Sequence, residues 1–332
     1  MNLNWAGLLL VALGGAMQGS FALPQKFVRG WAWEKTWLAY SIFGMIVFPW
    51  AVAAALIPDI GGVYASAGAS ILARTALFGL SWGAGSVLFG LGLARMGMAL
   101  GFAIIMSVIA TVGSLVPMAA LHPDQLSTRR GAYLLTGLAI VVVGLALCAR
   151  AGILRERSSG APAGGVARGL VICIASGVLS SGMSFSYAFG EPIALEAVRH
   201  GAGQGNASMA TFVVAVSAGF LINAGYCIHL LRRNATWGVP APAGVNAGRA
   251  AAMGALWFFG FFFYGVGYRR MGELGDSIGW PLLMMTTVLV GNAWSLLTGE
   301  WRKAGPAALR YLAAGMAVLL AAFAVTSLGV RP

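Results

Sequence analysis

Charge is what this chain most lacks: 9% of its 332 residues are Asp, Glu, Lys or Arg, against roughly 25% in an average soluble domain. So few charges cannot cover the surface of a water-soluble fold of this length, which excludes the soluble enzyme classes. Acidic residues are scarcest, 9 against 21 basic ones, and form no cluster of the kind that holds Mg2+. The three cysteines, Cys148, Cys173 and Cys227, each lie inside an apolar run, with no C-x-x-C spacing and an odd count. Packing, rather than a disulfide or a metal, is their expected role. H-E-x-x-H, G-x-S-x-G and the P-loop are missing as well. The chain is therefore expected to be no enzyme, with no metal site and no cofactor.

What it has in excess is apolar side chains, 59% of the total. They come in stretches of about 20 residues, the length of a spanning helix; barrel strands would be nearer 10, with alternating polarity. The fold class this predicts is an all-α polytopic membrane protein. Windows of about 19 residues place ten spans near 4–23, 38–57, 72–94, 98–120, 131–149, 168–189, 208–231, 249–268, 277–298 and 308–328. Met1 to Trp5 carries no Lys or Arg, unlike the basic start of a cleaved signal peptide, so the first span is expected to be retained.

Segment 154–167 is linker-like, charged at Arg155-Glu156-Arg157 and rich in Gly, Ser and Pro after that. It divides the chain into 1–153 and 168–332, with five spans in each. A net charge of +12 on a soluble protein would suggest nucleic acid. Here the basic residues fall in loops between spans, where they set orientation and meet anionic membrane lipid, and no nucleic-acid partner is expected. Loops after the odd-numbered spans of the first nine carry 14 of the 21, the other face 7. The richer face is cytoplasmic by the positive-inside rule, which puts both termini outside, in the periplasm of a bacterial inner membrane.

An internal repeat supports the five-plus-five division. A shift of 175 residues lays Gly79–Gly97 on Gly254–Gly272 without a gap, pairing Trp82 with Trp257 and Arg95-Met96-Gly97 with Arg270-Met271-Gly272. Five spans per half is an odd number, so the two copies enter the membrane in opposite senses. Inverted repeats of this kind are typical of transporters, because two near-equivalent arrangements of the same parts give alternating access. Pairs such as Gly79/Gly83, Gly97/Gly101 and Gly275/Gly279 let helix backbones approach closely; packing alone explains them equally well.

Few residues within this apolar chain can carry chemistry. Asp59, Asp124, Glu156, Glu196 and Glu300 fall in loops and read as solvated. A carboxylate near a span is a functional candidate, since burying it at mid-membrane costs about 2.5–3.5 kcal/mol. Asp276 stands out, because the repeat pairs it with Gly101 and surrounds it with Tyr264, Tyr268, Ser277 and Trp280. It also fits the plainer role of N-cap for the ninth span, just ahead of Pro281. Glu34, in Trp31-Ala-Trp33-Glu34-Lys35-Thr-Trp37, is the second candidate; an aromatic belt with a surface charge pair accounts for that segment too. Gln18 and Asn223 are costly to bury and point to a cavity. With Ser184, Trp82, Trp257 and Trp280 they suit a small, neutral, hydroxylated solute, the flat rings taking its C–H face and the amides its hydroxyls.

These pieces resemble the L-rhamnose–proton symporter family of the drug/metabolite transporter superfamily. The resemblance covers nearly the whole chain. It is carried by Trp31-x-Trp33-Glu34-x-x-Trp37, Pro49-Trp50-Ala51, Phe78-Gly79-x-x-Trp82-Gly83-x-Gly85, Arg150-Ala-Gly-x-Leu154-x-Glu156, Ser181-Gly-Met-Ser-Phe185, Phe261-Phe-Phe-Tyr264, Asp276-x-Ile278-x-Trp280 and Glu300-Trp301. It implies ten transmembrane helices in two inverted five-helix repeats, and uptake of L-rhamnose or a related small sugar together with a proton. Asp276 would carry the proton, with Glu34 next in line. Trp82, Trp257, Tyr264, Tyr268, Trp280, Gln18, Ser184 and Asn223 would surround the sugar. A metabolite or drug exporter of the same superfamily is the alternative. The chain departs from the family pattern at Ser86, Leu88, Ala188 and Gly260, where amides are expected.

Overall fold

A computed structural model describes residues 5–121, 127–159, 164–238, 242–271 and 280–328. All regular structure among these residues is helical, without a strand. The helices are α1 (Trp5–Ser20), α2 (Trp33–Ser41), α3 (Phe48–Leu56), α4 (Ile60–Ala67), α5 (Ala69–Leu121), α6 (Arg129–Ser159), α7 (Gly164–Ser180), α8 (Gly182–Phe189), α9 (Glu191–Arg199), α10 (Ser208–Arg233), α11 (Ala243–Met271), α12 (Trp280–Leu297) and α13 (Pro306–Leu328). Among the described residues seven stretches are long and apolar enough to cross a membrane: Trp5–Phe27, Trp33–Leu56, Ala69–Gly97, Gly131–Arg155, Gly165–Phe189, Ser208–Arg233 and Ala243–Tyr268. Leu100–Gly113, Thr286–Leu297 and Pro306–Ala322 are shorter apolar helices. Large apolar side chains such as Leu9, Leu77, Val142, Val171, Leu221 and Leu297 are exposed on these helices. In water that would be a liability; against lipid it is the expected outer surface.

The second span shows how sequence shapes a helix locally. Pro49 cannot donate a backbone hydrogen bond and crowds the turn before it. Between α2 and α3 the chain accordingly widens into a π turn over Ile42–Val47, closed by Phe48 N–H on the Phe43 carbonyl. Such widened turns are frequent at functional sites.

The chain divides into two compact units. The first comprises Met1–Ser20, Leu88–Val178 and Phe262–Pro332, the second Phe21–Val87 and Leu179–Phe261. Both units draw on sequence before and after the 154–167 linker.

In the first unit, α1 lies against α12, with Gly15 at the Leu283 carbonyl and Thr286, and Gly19 at the Thr287 carbonyl and Gly291. Gly144 against Leu319 and Gly315 against Cys148 join α6 to α13 in the same way. Gly97 breaks α5 sharply, at φ 76° and ψ 170°. That break is tied down by distant residues: Arg155 Nη2 donates to the Met96 carbonyl at 3.1 Å, and its guanidinium lies over the Trp301 ring, 5.2 Å from the centroid. Ser295 Oγ donates to Glu300 Oε2 at 2.8 Å and accepts from Trp301 Nε1 at 3.1 Å. Glu300, read from sequence as a plain loop residue, is thus part of a knot around the break.

In the second unit, α3, α4, α9 and the start of α10 enclose a core that includes Ala53, Ile57, Val63, Ile193, Ala197 and Val213. Its rim carries a polar clasp. Asp59, in the left-handed region at φ 48°, caps α4 by accepting from Gly62 N–H. Its other carboxylate oxygen lies 3.1 Å from His200 Nδ1, and His200 Nε2 lies 3.2 Å from Ser66 Oγ.

Only glycine adopts the Gly97 backbone without strain, and a Cβ there would also press on the Glu300 carboxylate and lie 3.2 Å from Arg155 Nη1. Gly97→Ala should cost about 1–3 kcal/mol, seen as a lower Tm in detergent and less protein in the membrane.

Candidate functional site

The second unit brings several candidate residues together. On α5 and α10 the glycines allow backbone to touch backbone. Gly79 packs on the Ala215 backbone, and a Cβ on Gly83 would lie 2.5 Å from the Gly219 Cα and carbonyl oxygen. Removing side chains from both faces is what permits this approach.

Asn223, one turn beyond Gly219, fastens the contact. Its Nδ2 donates to the carbonyls of Gly83 at 3.1 Å and Gly219 at 3.0 Å. Its Oδ1 accepts from Trp37 Nε1 at 2.9 Å and from Ser86 Oγ at 3.4 Å. A side-chain amide has two donor and two acceptor positions, and all four are taken inside the protein. Asn223 is fully buried, so its polarity is spent on joining α2, α5 and α10.

Trp82 and Trp257, partners in the internal repeat, meet directly, their centroids 5.5 Å apart and their planes inclined by 32°. Trp257 is held further by Tyr40, Phe212 and Phe261, at 6.4, 6.1 and 5.4 Å. Trp82 is 7% exposed and Trp257 6%. The Trp82 ring lies over Gly219, where a Cβ would come within 2.5 Å of Cε3 and 2.6 Å of Cζ3. Among the described residues the Trp82 N–H has no hydrogen-bond acceptor, and it is not among the sealed unpaired atoms, which include the indole nitrogens of Trp31 and Trp33. A donor of this kind, on a mostly buried flat ring, suits a sugar: a hydroxyl can accept from the indole while the C–H face lies on the ring.

Ser184 is half-buried in α8, a helix that packs on α5 where Gly182 meets the Phe78 carbonyl and the Trp82 backbone. Gln18, Tyr264 and Tyr268 belong to the first unit. Gln18 is buried in α1. Tyr264 and Tyr268, one turn apart on α11, have centroids 5.9 Å apart. Asp276 lies outside the described residues, and Trp280 is described only as the first residue of α12.

Glu34 is buried in the first turn of α2, where the unpaired N–H groups of a helix start favour negative charge. Asn234 Nδ2 donates to its Oε1 at 3.1 Å and Thr236 Oγ1 at 2.8 Å. Lys35 instead donates to the Trp237 carbonyl at 2.9 Å and lies over the Trp31 ring. Asn246 binds the Arg29 carbonyl at 2.7 Å. The start of α2 is therefore hydrogen-bonded to the α10–α11 connection, and Glu34 and Lys35 are not an ion pair.

Trp37 is the residue that sequence reasoning undervalued. It reads as belt tryptophan, yet it is 1% exposed, stacked on Trp33 at 5.3 Å and bonded to Asn223. The available signal was spacing: Trp33, Trp37 and Tyr40 fall at i, i+4 and i+7, on one helix face.

Seven helices among the described residues are long and apolar enough to cross a membrane and carry an apolar outer surface, as in a polytopic membrane protein. The family model described as L-rhamnose-proton symport protein (RhaT) matches residues 2–332, and the chain belongs to that family. It is 32% identical over 334 residues to the L-rhamnose-proton symporter of Cronobacter sakazakii. It is 31% identical to the proteins of that name from Mannheimia succiniciproducens and Shigella flexneri, and in each case 97% of both chains is covered. No solved structure matches the chain.

Asn223→Ala should strand the buried Trp37 Nε1 and remove the amide that ties α5 to α10, while the Gly83 and Gly219 carbonyls keep their bonds within their own helices. The orphaned indole N–H alone costs about 1–3 kcal/mol, so thermal unfolding in detergent should show a fall of several degrees in Tm, where Ser86→Ala, which removes one long bond, shows little change.

Proposed function

We propose that this protein is a proton-coupled secondary transporter of a bacterial inner membrane that imports L-rhamnose or a closely related small deoxysugar by alternating access. The observation that carries the reading is membership of the rhamnose–proton symport family over residues 2–332, with relatives of that name aligned along 97% of their length. The paired indoles add chemistry that suits the 6-deoxy sugar, whose methyl group belongs in an apolar corner.

Ten membrane helices in two inverted five-helix repeats, 1–153 and 168–332 around a cytoplasmic linker, are part of the proposal, as is placement in the drug/metabolite transporter superfamily. The make-up of the units supports the repeat. Shifted by 175 residues, Phe21–Val87 falls on 196–262, close to the Leu179–Phe261 that completes the second unit. The same shift carries the Gly79–Gly219 approach onto the one between Gly254 and Gly44, which is also a close backbone contact. Basic residues on the loops after the odd-numbered spans favour a cytoplasmic face there and periplasmic termini, with anionic lipid as their partner.

Trp82, Trp257 and Ser184 are proposed to contact the sugar, with the buried Asn223 holding the helices that carry the site. Gln18, Tyr264, Tyr268 and Trp280 complete the candidate set. Asp276 is proposed to take a proton from the periplasm, since a carboxyl in a closed, water-poor vestibule favours its neutral form. One proton crossing about 100 mV contributes about 2.3 kcal/mol and one pH unit about 1.4 kcal/mol. Their sum supports accumulation of roughly 500-fold.

Labelled L-rhamnose should enter membrane vesicles against its gradient when a proton gradient is imposed inward, and a protonophore should abolish this. An exporter of the same superfamily would show no such uptake. Asp276→Asn should lose accumulation while retaining exchange of labelled for unlabelled sugar; if accumulation survives, Glu34→Gln becomes the decisive variant.

A further inference from the structure

The position of Trp82 is set by a neighbour with no side chain. On one side its six-membered ring lies against the bare backbone of Gly219, with the close approaches at Cε3 and Cζ3 given above. Trp257 also packs against Trp82, their centroids 5.5 Å apart, and is itself in contact with Tyr40, Phe212 and Phe261. A methyl group at position 219 would need space from either the helices or the ring. The helices cannot supply it, because α5 and α10 already touch at Gly83 and Gly219, and the methyl group would lie only 3.1 Å from the Gly79 carbonyl oxygen of α5. Asn223 also holds both carbonyls at 3.0–3.1 Å. The ring is the part that can move, and moving it shifts its N–H with it.

We infer that Gly219 is a specificity-determining residue of this transporter, acting through Trp82: the missing side chain fixes how deep the indole sits, and thereby the shape and donor position presented to the sugar. Gly219 is a positioning residue and touches no substrate itself. The inference rests on the proposed contact between Trp82 and the sugar. It goes beyond that contact by assigning the choice among sugars to a position on another helix.

The test uses the full-length protein in proteoliposomes, with uptake of labelled L-rhamnose and competition by its 6-hydroxy counterpart, L-mannose. Gly219→Ala should raise the KM for L-rhamnose about fivefold or more and change the ratio of the two sugars' affinities, with Vmax per transporter little altered. Trp82→Phe has a smaller ring and leaves room for the methyl group. Adding Gly219→Ala to Trp82→Phe should therefore change KM by less than about twofold. A Gly219→Ala protein with the wild-type KM and sugar ratio would overturn the inference, and so would an equal effect in both backgrounds. If Gly219→Ala alone does not accumulate, the double variant supplies the readout; failure of both counts against the inference, because it places the strain in the backbone. Trp82→Ala separates the two layers. Unchanged KM in that variant removes the sugar contact itself, whereas a raised KM there with no response at position 219 removes only the role of Gly219.

Discussion

Backbone contact between α5 and α10 is the constraint on which the rest of the second unit depends. Two helices normally stand 8–10 Å apart, held off by side chains. Gly79 and Gly83 on one helix, with Ala215 and Gly219 on the other, remove that spacer. In a membrane there is little hydrophobic gain from bringing helices together, so close packing and hydrogen bonds between helices supply the association. Asn223 supplies those bonds at the same point, binding a carbonyl from each helix. Its remaining acceptor capacity draws in Trp37 from α2. One amide thus fixes three helices, and the aromatic group of Trp82 and Trp257 takes its geometry from the framework that results.

Much of this was legible in the sequence. Apolar runs of spanning length predict helices, and among the described residues seven stretches are helical, long and apolar enough to cross a membrane, because length and hydrophobicity are local properties. The repeat pairs Trp82 with Trp257, and the structure brings those two rings to 5.5 Å. What stayed hidden depends on residues far apart in the chain. Asn223 reads as a cavity amide because burying an unpaired one is costly, and nothing local reveals that Trp37, 186 positions earlier, pays that cost. Glu34 reads as the partner of adjacent Lys35, yet its donors are Asn234 and Thr236, some 200 residues on. Asp59 reads as a solvated loop residue; it is exposed, and it also meets His200. Adjacent residues on a helix do not face one another, so a charged pair next to each other in sequence is a weak guide to an ion pair.

The composition of the two units makes the same point at larger scale. The Gly-, Ser- and Pro-rich linker marks a division along the sequence, and both compact units combine segments from either side of it. Helix pairing in a membrane is decided by which small-residue faces match, and Gly44 between α2 and α3 meets Gly254 on α11, 210 positions away. Sequence windows report that such faces exist and carry no information on which will meet.

The polar inventory of the second unit bears on how a neutral sugar would be handled. Nearly every strong polar group near the paired indoles is already committed: Asn223 to four partners, Ser186 to the Thr75 carbonyl and Thr211 to the Gly190 carbonyl. A sugar entering there trades its water for flat rings and few directional bonds. Rings hold it by shape, and each unmet hydroxyl subtracts from affinity. For a pump-like importer that is an advantage, since a ligand held too tightly is not released on the far side. Directional control then belongs to the proton, whose gradient acts whatever the sugar's affinity. A ligand shifts a conformational equilibrium only by its difference in affinity between states. If Trp82 meets the sugar as proposed, a ring whose depth is set by an absent side chain would distinguish those states through shape.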